Sequence, residues 1–323
     1  MTASGGYYSK HIAALQDLFG TQDVEVSPSE VRVGARRFPV QEDVIVLPGA
    51  PAGGSPGEEA AAEGVRFTFG RQWQSFDRIL PEHEQEWARY FDLFQESELR
   101  DIRACDLGCG IGRWSYFLAA KCREIVLVDF SDAIFVARRN LRNFDHCLFF
   151  QGDIRSLPFR DDFADLVFSL GVLHHLPVDA LSQVRRLARF APRLLVYLYY
   201  ALDNRPWHFR VIFRGADAVR RLLSGIRGSR ARSAISWGLT AGVYLPFILL
   251  GRALAPFGLA ASVPLYEYYG GMTWSRIRQD AYDRFFTPVE HRYTREEILG
   301  LRDTFSRVVI SPALPYWHFR CDR

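Results

Sequence analysis

The sequence predicts an α/β protein with a mainly parallel sheet covered by helices on both faces. Three observations predict it. Short apolar runs alternate with helical patterns from Ile102 onward, a glycine-rich turn (Gly108, Gly110, Gly112) follows the first run, and an acid stands at the end of each of the first three runs. Parallel strands need crossover helices, and those helices hide both sheet faces.

Along the chain, Glu25 to Leu47 alternates apolar and polar residues, as short strands around turns do. Pro48 to Gly64 is too rich in glycine, proline and alanine to build a core and reads as a linker. Residues 1–66 are therefore expected to be a small N-terminal β-rich module with its linker. The core, 67–200, carries strands within IRACDL, Glu124 to Phe130, Cys147 to Asp153, Phe163 to Leu170 and Arg193 to Tyr200. Helices are expected at Arg113 to Lys121, Asp132 to Leu141 and Val178 to Phe190. Residues 281–323 return to the core, with SRVVISPALP and YWHFRC as a terminal hairpin.

Between them, residues 201–280 interrupt the pattern. The first part is rich in arginine; the second, Ser236 to Tyr266, has Arg252 as its sole charge. Pro246, Pro256 and Pro264 punctuate that apolar stretch, whereas a simple spanning helix needs about 20 uninterrupted apolar residues. A helical cap over the site is the plain expectation. Contact of arginines and apolar helices with a membrane surface is the second.

Composition narrows the class. With 323 residues, 48% of them hydrophobic, and a net charge of +3, the chain is globular and does not advertise a nucleic-acid binder. Its five cysteines form no CxxC pair and no secretory signal is apparent, so a cytoplasmic protein without disulfides or structural metal is expected.

The turn itself excludes one nucleotide. A dinucleotide-binding dehydrogenase uses GxGxxG, and Arg113 occupies the place of its third glycine. Asp129 lies 23 residues beyond Asp106, where a carboxylate can accept from both hydroxyls of a ribose. Asp153 can accept from an adenine amino group, with Ile154 beside the ring. Three acids at the ends of successive parallel strands converge on one crevice.

These segments together resemble a class I S-adenosylmethionine-dependent methyltransferase. DLGCGIG is similar to that family's first motif, LVDFS to its acidic second, GDIRSLPF to its adenine-side motif and FADLVFSLGVLHHLP to its strand-four motif. The resemblance implies a Rossmann-like sheet of seven strands, the last antiparallel. It implies S-adenosylmethionine as cofactor, with S-adenosylhomocysteine as product. By position, Asp106, Gly108, Cys109, Gly110 and Gly112 would line the methionine end, Asp129 the ribose, Asp153 and Ile154 the adenine, and Phe130 and Leu170 the apolar walls. FGRQW, the late DRFFTPVEHRYTREEI and the closing PYW are similar to a group of bacterial methyltransferases with FGxQW before the core and an arginine-rich apolar insertion after strand five.

Methyl transfer asks the protein for geometry, exclusion of water and, for a hydroxyl acceptor, a base. His174 and His175 follow the fourth core strand, and His175 is the preferred base. Trp73, Tyr266, Tyr269, Glu290, His291 and Arg292 are the candidate acceptor contacts. The leading expectation is O-methylation of a small-molecule, natural-product or glycan acceptor. The alternatives are C- or N-methylation of a lipid-linked or apolar substrate, or a regulatory protein that binds the cofactor without turnover.

Overall fold

The computed structural model describes residues 6–48, 77–226, 228–286 and 290–323. Trp73, the FGRQW segment and nearly all of the expected linker lie outside the described residues. The chain divides into two compact units, 1–199 with 295–323, and 200–294.

The first unit is built on a sheet of eleven strands. In chain order these are β1 (Val24–Val26), β2 (Glu30–Val33), β3 (Arg36–Gln41), β4 (Val44–Val46), β5 (Arg103–Leu107), β6 (Glu124–Asp129), β7 (Cys147–Gln151), β8 (Leu166–Leu170), β9 (Arg193–Tyr197), β10 (Arg307–Ile310) and β11 (His318–Asp322). Their spatial order is β1-β2-β3-β4-β7-β6-β5-β8-β9-β11-β10. All contacts from β4 to β9 are parallel, and β11 lies antiparallel between β9 and β10. The terminal hairpin is therefore present.

The expectation of seven strands beside a separate N-terminal module is corrected. β4 pairs in parallel with β7, Ile45 opposite Phe150 and Val46 opposite Gln151, so the antiparallel β1–β4 meander extends the same sheet. Side chains lock this junction. The Tyr8 hydroxyl accepts from Phe149 N at 3.1 Å, and the Tyr7 hydroxyl donates to Cys147 O at 2.7 Å. Buried Arg103 also joins Asp17 of helix α1 (Ile12–Phe19) to Glu124 of β6. An unpaired β7 edge would expose a row of backbone donors and acceptors, and the N-terminal strands satisfy them.

Helix α2 (Glu82–Tyr90) precedes β5, and α3 (Arg113–Ala119), α4 (Ala133–Asn140) and α5 (Ala180–Leu187) connect the parallel strands. Every residue of β5, β7 and β8 is buried, as expected of strands covered on both faces. The chain steps from β5 to β6 on one side and later to β8 on the other. That reversal opens a crevice at the carboxyl ends of β5, β6 and β8, where ligands bind in open α/β sheets.

The second unit spans 200–294, wider than the 201–280 expected. It holds α6 (Trp207–Ser224), α7 (Ser229–Leu239), α8 (Leu245–Leu254), α9 (Tyr266–Tyr269) and α10 (Trp274–Phe286) around a core of Tyr244, Ile248, Tyr269, Ile277, Ala281 and Phe285. The expectation that Pro246 interrupts the apolar stretch is also corrected. Arg230–Phe257 is one continuous helical run, with a π-helical turn at Thr240–Tyr244 directly before the proline. Proline cannot donate to the carbonyl four residues back. The wider turn re-registers the ladder through Leu245 N to Thr240 O, so the helix continues. Among the described residues this is the one helix long and apolar enough to cross a membrane, although its most apolar stretch is only 28% buried within the protein.

Candidate active site

The glycine turn joins β5 to α3. Gly108, Gly110 and Gly112 have φ of 80°, 55° and 76°, a region that L side chains avoid. Its backbone is held from the neighbouring strand: Gly108 N and Cys109 N donate to Val128 O, and Gly110 N donates to Asp129 Oδ2 at 2.8 Å. Asn140, the last residue of α4, donates to Ile111 O at 3.0 Å. The loop is thus fixed by β6 and α4 before any ligand arrives.

Asp106 is buried in β5, where its Oδ2 accepts from the Ser115 hydroxyl at 2.6 Å and its Oδ1 has no hydrogen-bond partner among the described residues. Burial pushes its carboxyl up to about 8, with the Asp129 charge adding to the rise and the Ser115 hydroxyl and Arg113 opposing it. Asp129 closes β6. Its Oδ1 accepts from Ser131 N at 2.8 Å and Ser131 Oγ at 2.7 Å, and burial likewise raises its carboxyl. A carboxylate offers about four acceptor positions. Gly110 and Ser131 use three, so one remains open, and rotation of the Ser131 hydroxyl frees a second for a ribose diol.

Asp153 follows β7 by two residues. Arg155 grips it, with Nε 3.0 Å from both carboxylate oxygens, Nη2 2.6 Å from Oδ2, and Arg155 N 2.8 Å from Oδ1. The clamp fixes the plane of the carboxylate beside buried Ile154. Leu170 is buried at the end of β8, and Phe130 is half-buried after β6. The structure therefore brings Asp106, Cys109, the three glycines, Asp129, Phe130, Asp153, Ile154 and Leu170 to the same end of one sheet.

The two histidines separate. They sit in a short 3₁₀ turn, Leu173–His175, after β8. His174 is fully buried and stacks on Tyr199, with ring centroids 3.8 Å apart. Its stacking on Tyr199 favours His175 as the base. His175 keeps 5% of its surface exposed and stands edge-on to Tyr199 at 5.5 Å.

Apart from Trp73, the acceptor candidates belong to the 200–294 unit. Tyr269 is a buried core residue of that unit, its ring edge-on to Tyr244 at 5.1 Å, which favours packing over acceptor contact. Tyr266 packs so closely over Gly251 that a Cβ there would lie 2.2 Å from the Tyr266 ring. Glu290 and Arg292 pair at 2.7 Å, Arg292 also donates to Tyr200 O and lies over Phe213, and His291 is exposed.

Sequence reasoning missed Ser115, Ser131 and Arg155, the local partners that aim the three acids. Arg155 left a signal, a cation two residues beyond Asp153. The aromatic group of Tyr90, Trp114 and Tyr197, with centroids 5.0 and 5.2 Å apart, left none, because α2, α3 and β9 meet there only in three dimensions.

Residues 104–191 match the family model described as "Methyltransferase domain". This segment is similar to a methyltransferase domain. S-adenosylmethionine would fit this site through the preformed glycine turn and the acceptor positions left on Asp106 and Asp129. A human protein described as "Probable tRNA methyltransferase 9B" is 27% identical over 128 residues, which are 38% of this chain and 26% of that protein. A putative methyltransferase from Bacillus halodurans C-125 has a TM-score of 0.36 at 20% identity, over 42% of this chain and 59% of that one. The PH0226 protein of Pyrococcus horikoshii OT3 has 0.33 at 26% identity, over 36% and 58%. The chain thus spans about a quarter of the human relative and under two thirds of either solved chain.

The unit that carries the glycine turn should be pH-sensitive through Asp106. Between the ordinary Asp value of 3.8 and about 8, the folded state holds a proton that the unfolded chain has released. Stability therefore falls as pH rises, at up to about 1.4 kcal/mol per pH unit from this group. Unfolding followed from about pH 5 to 7 should show this slope, and Asp106→Asn should remove it.

Proposed function

We propose that the protein transfers a methyl group from S-adenosylmethionine to a hydroxyl of a small-molecule, natural-product or glycan acceptor. The observation that carries the reading is the set of Asp106, Asp129 and Asp153 at successive strand ends around the preformed glycine turn. When bound, S-adenosylmethionine supplies a methyl group on a positively charged sulfur, open to in-line displacement.

This chain's residues would do the rest. Asp106 would face the cationic methionine end, Asp129 would accept from the ribose hydroxyls, and Asp153, held by Arg155, would accept from the adenine amine. His175 would take the acceptor's proton as the new carbon–oxygen bond forms and the carbon–sulfur bond breaks. The exposed His291, beside the paired Glu290 and Arg292, is the proposed acceptor contact in the second unit. Five buried, unpaired cysteines fit the proposed cytoplasmic location.

A screen of hydroxylated metabolites with labelled methyl donor tests the activity. On any acceptor found, His175→Ala should lower kcat by about 10²–10⁴ while cofactor affinity holds. Unchanged turnover would remove His175 as base, and labelling of carbon or nitrogen alone would remove the hydroxyl. An RNA acceptor, raised by the human relative's description, has weaker support, because the second unit's exposed apolar residues are mostly aliphatic and offer bases little to stack on.

A further inference from the structure

We propose that the 200–294 unit docks on membrane surfaces containing anionic lipid, with α6 and the α7–α8 run lying flat in the interface. The inference is independent of the methyl-transfer reading. Soluble proteins scatter exposed apolar residues singly, whereas contiguous patches mark interaction sites. Here ten of the twelve exposed large apolar side chains among the described residues fall between Trp207 and Leu259.

On α6 the pattern is ordered. At about 100° per residue, Trp207, Val211, Val219 and Leu222 share one exposed stripe, and Arg210, Arg214 and Arg221 line its edge. Neither Arg210 nor Arg214 has an ion-pair partner among the described residues. The α7–α8 run adds Trp237, Leu249, Leu250 and, at its end, Phe257, which is 74% exposed. From Ala218 to Tyr266 the chain has no acidic residue. An apolar face with a basic rim, whose one acid Asp217 is neutralised by Arg220 and Arg221, is the complement of an anionic headgroup layer over acyl chains.

Other occupants fit less well. Nucleic acid would use the arginines but has no use for Val211, Val219 and Leu222. A second copy would bring two arginine rims together. A perpendicular crossing by Arg230–Phe257 conflicts with α10, which packs on α7 and carries Arg276, Arg278, Asp280 and Arg284. That helix would take its charges into the bilayer, where they are strongly disfavoured.

The test is sedimentation of the full chain with vesicles of phosphatidylcholine alone and of phosphatidylcholine with about a third phosphatidylglycerol. Binding should be at least about tenfold stronger to the anionic vesicles, and Arg210→Gln with Arg214→Gln should weaken it on the order of fivefold per arginine. Val211→Glu with Leu222→Glu should weaken it by about tenfold or more, with the unfolding midpoint unchanged. Leu249→Gln with Leu250→Gln tests the exposed apolar residues of α8 separately, in case the first pair impairs folding. Equal binding to both vesicle types, or binding that survives both apolar pairs, overturns the proposal. So does a soluble dimer that these substitutions dissociate without any vesicle binding, or tighter binding to bulk tRNA than to the anionic vesicles.

Discussion

Asp129→Ala is expected to weaken S-adenosylhomocysteine binding by about 10²–10⁴-fold. Hydrogen bonds to a charged group contribute about 1.5–3 kcal/mol each, and a ribose diol supplies two donors to this carboxylate. The substitution also strips partners from Gly110 N, Ser131 N and the Ser131 hydroxyl, so the glycine turn keeps only its backbone tethers from Gly108 and Cys109 to Val128 of β6. Asp129→Asn is the informative companion. It keeps the volume but turns an NH₂ toward groups that themselves donate, so it should recover little. Calorimetric titration of the purified variants measures both. Near wild-type affinity in Asp129→Ala would detach the acid from the cofactor.

Gly108→Ala should be the most destabilising single methyl that the site can receive. The backbone there has φ of 80°, and the added Cβ would lie 2.5 and 2.6 Å from the two γ-carbons of Val172. Left-handed backbone costs an L residue about 1–2 kcal/mol, and overpacking against a buried side chain costs a further 1–3 kcal/mol, roughly. For a chain of this size the midpoint should fall by roughly 5–15 °C. Gly258 separates the two costs, because its φ is 71° with nothing near the added Cβ. Gly258→Ala should therefore show only the backbone part, about 1–2 kcal/mol. Equal losses at both positions would mean that Val172 yields without strain.

The particular residues explain what the sequence could disclose. The runs ending at Asp106, Asp129 and Asp153 were legible because each is short and mainly apolar with an acid at or near its end, and the structure places β5, β6 and β7 there with boundaries shifted by one or two residues. The N-terminal strands were legible as strands but not as partners of β7. β4 has only three residues, and no local pattern names a strand so far along the chain. Pro246 misled for a physical reason: proline forbids one hydrogen bond, and the π turn at Thr240–Tyr244 avoids needing it. His174 and His175 are indistinguishable in sequence, and only the stacking of the first on Tyr199 favours the second as base. Tyr269 was ambiguous in the same sense, since an aromatic at helical spacing serves a core as well as a ligand. Its place beside Tyr244 and Ile277 favours the core.

The central claim is that the strand-end acids and the glycine turn form a site for a sulfonium nucleoside and not for a dinucleotide. Calorimetric titration of the full chain with S-adenosylhomocysteine, beside NAD under the same conditions, tests it most directly. The account predicts saturable binding of one S-adenosylhomocysteine per chain, weakened at least about a hundredfold by Asp129→Ala, and no heat from NAD. Saturable NAD binding, or S-adenosylhomocysteine binding indifferent to Asp129, would contradict it.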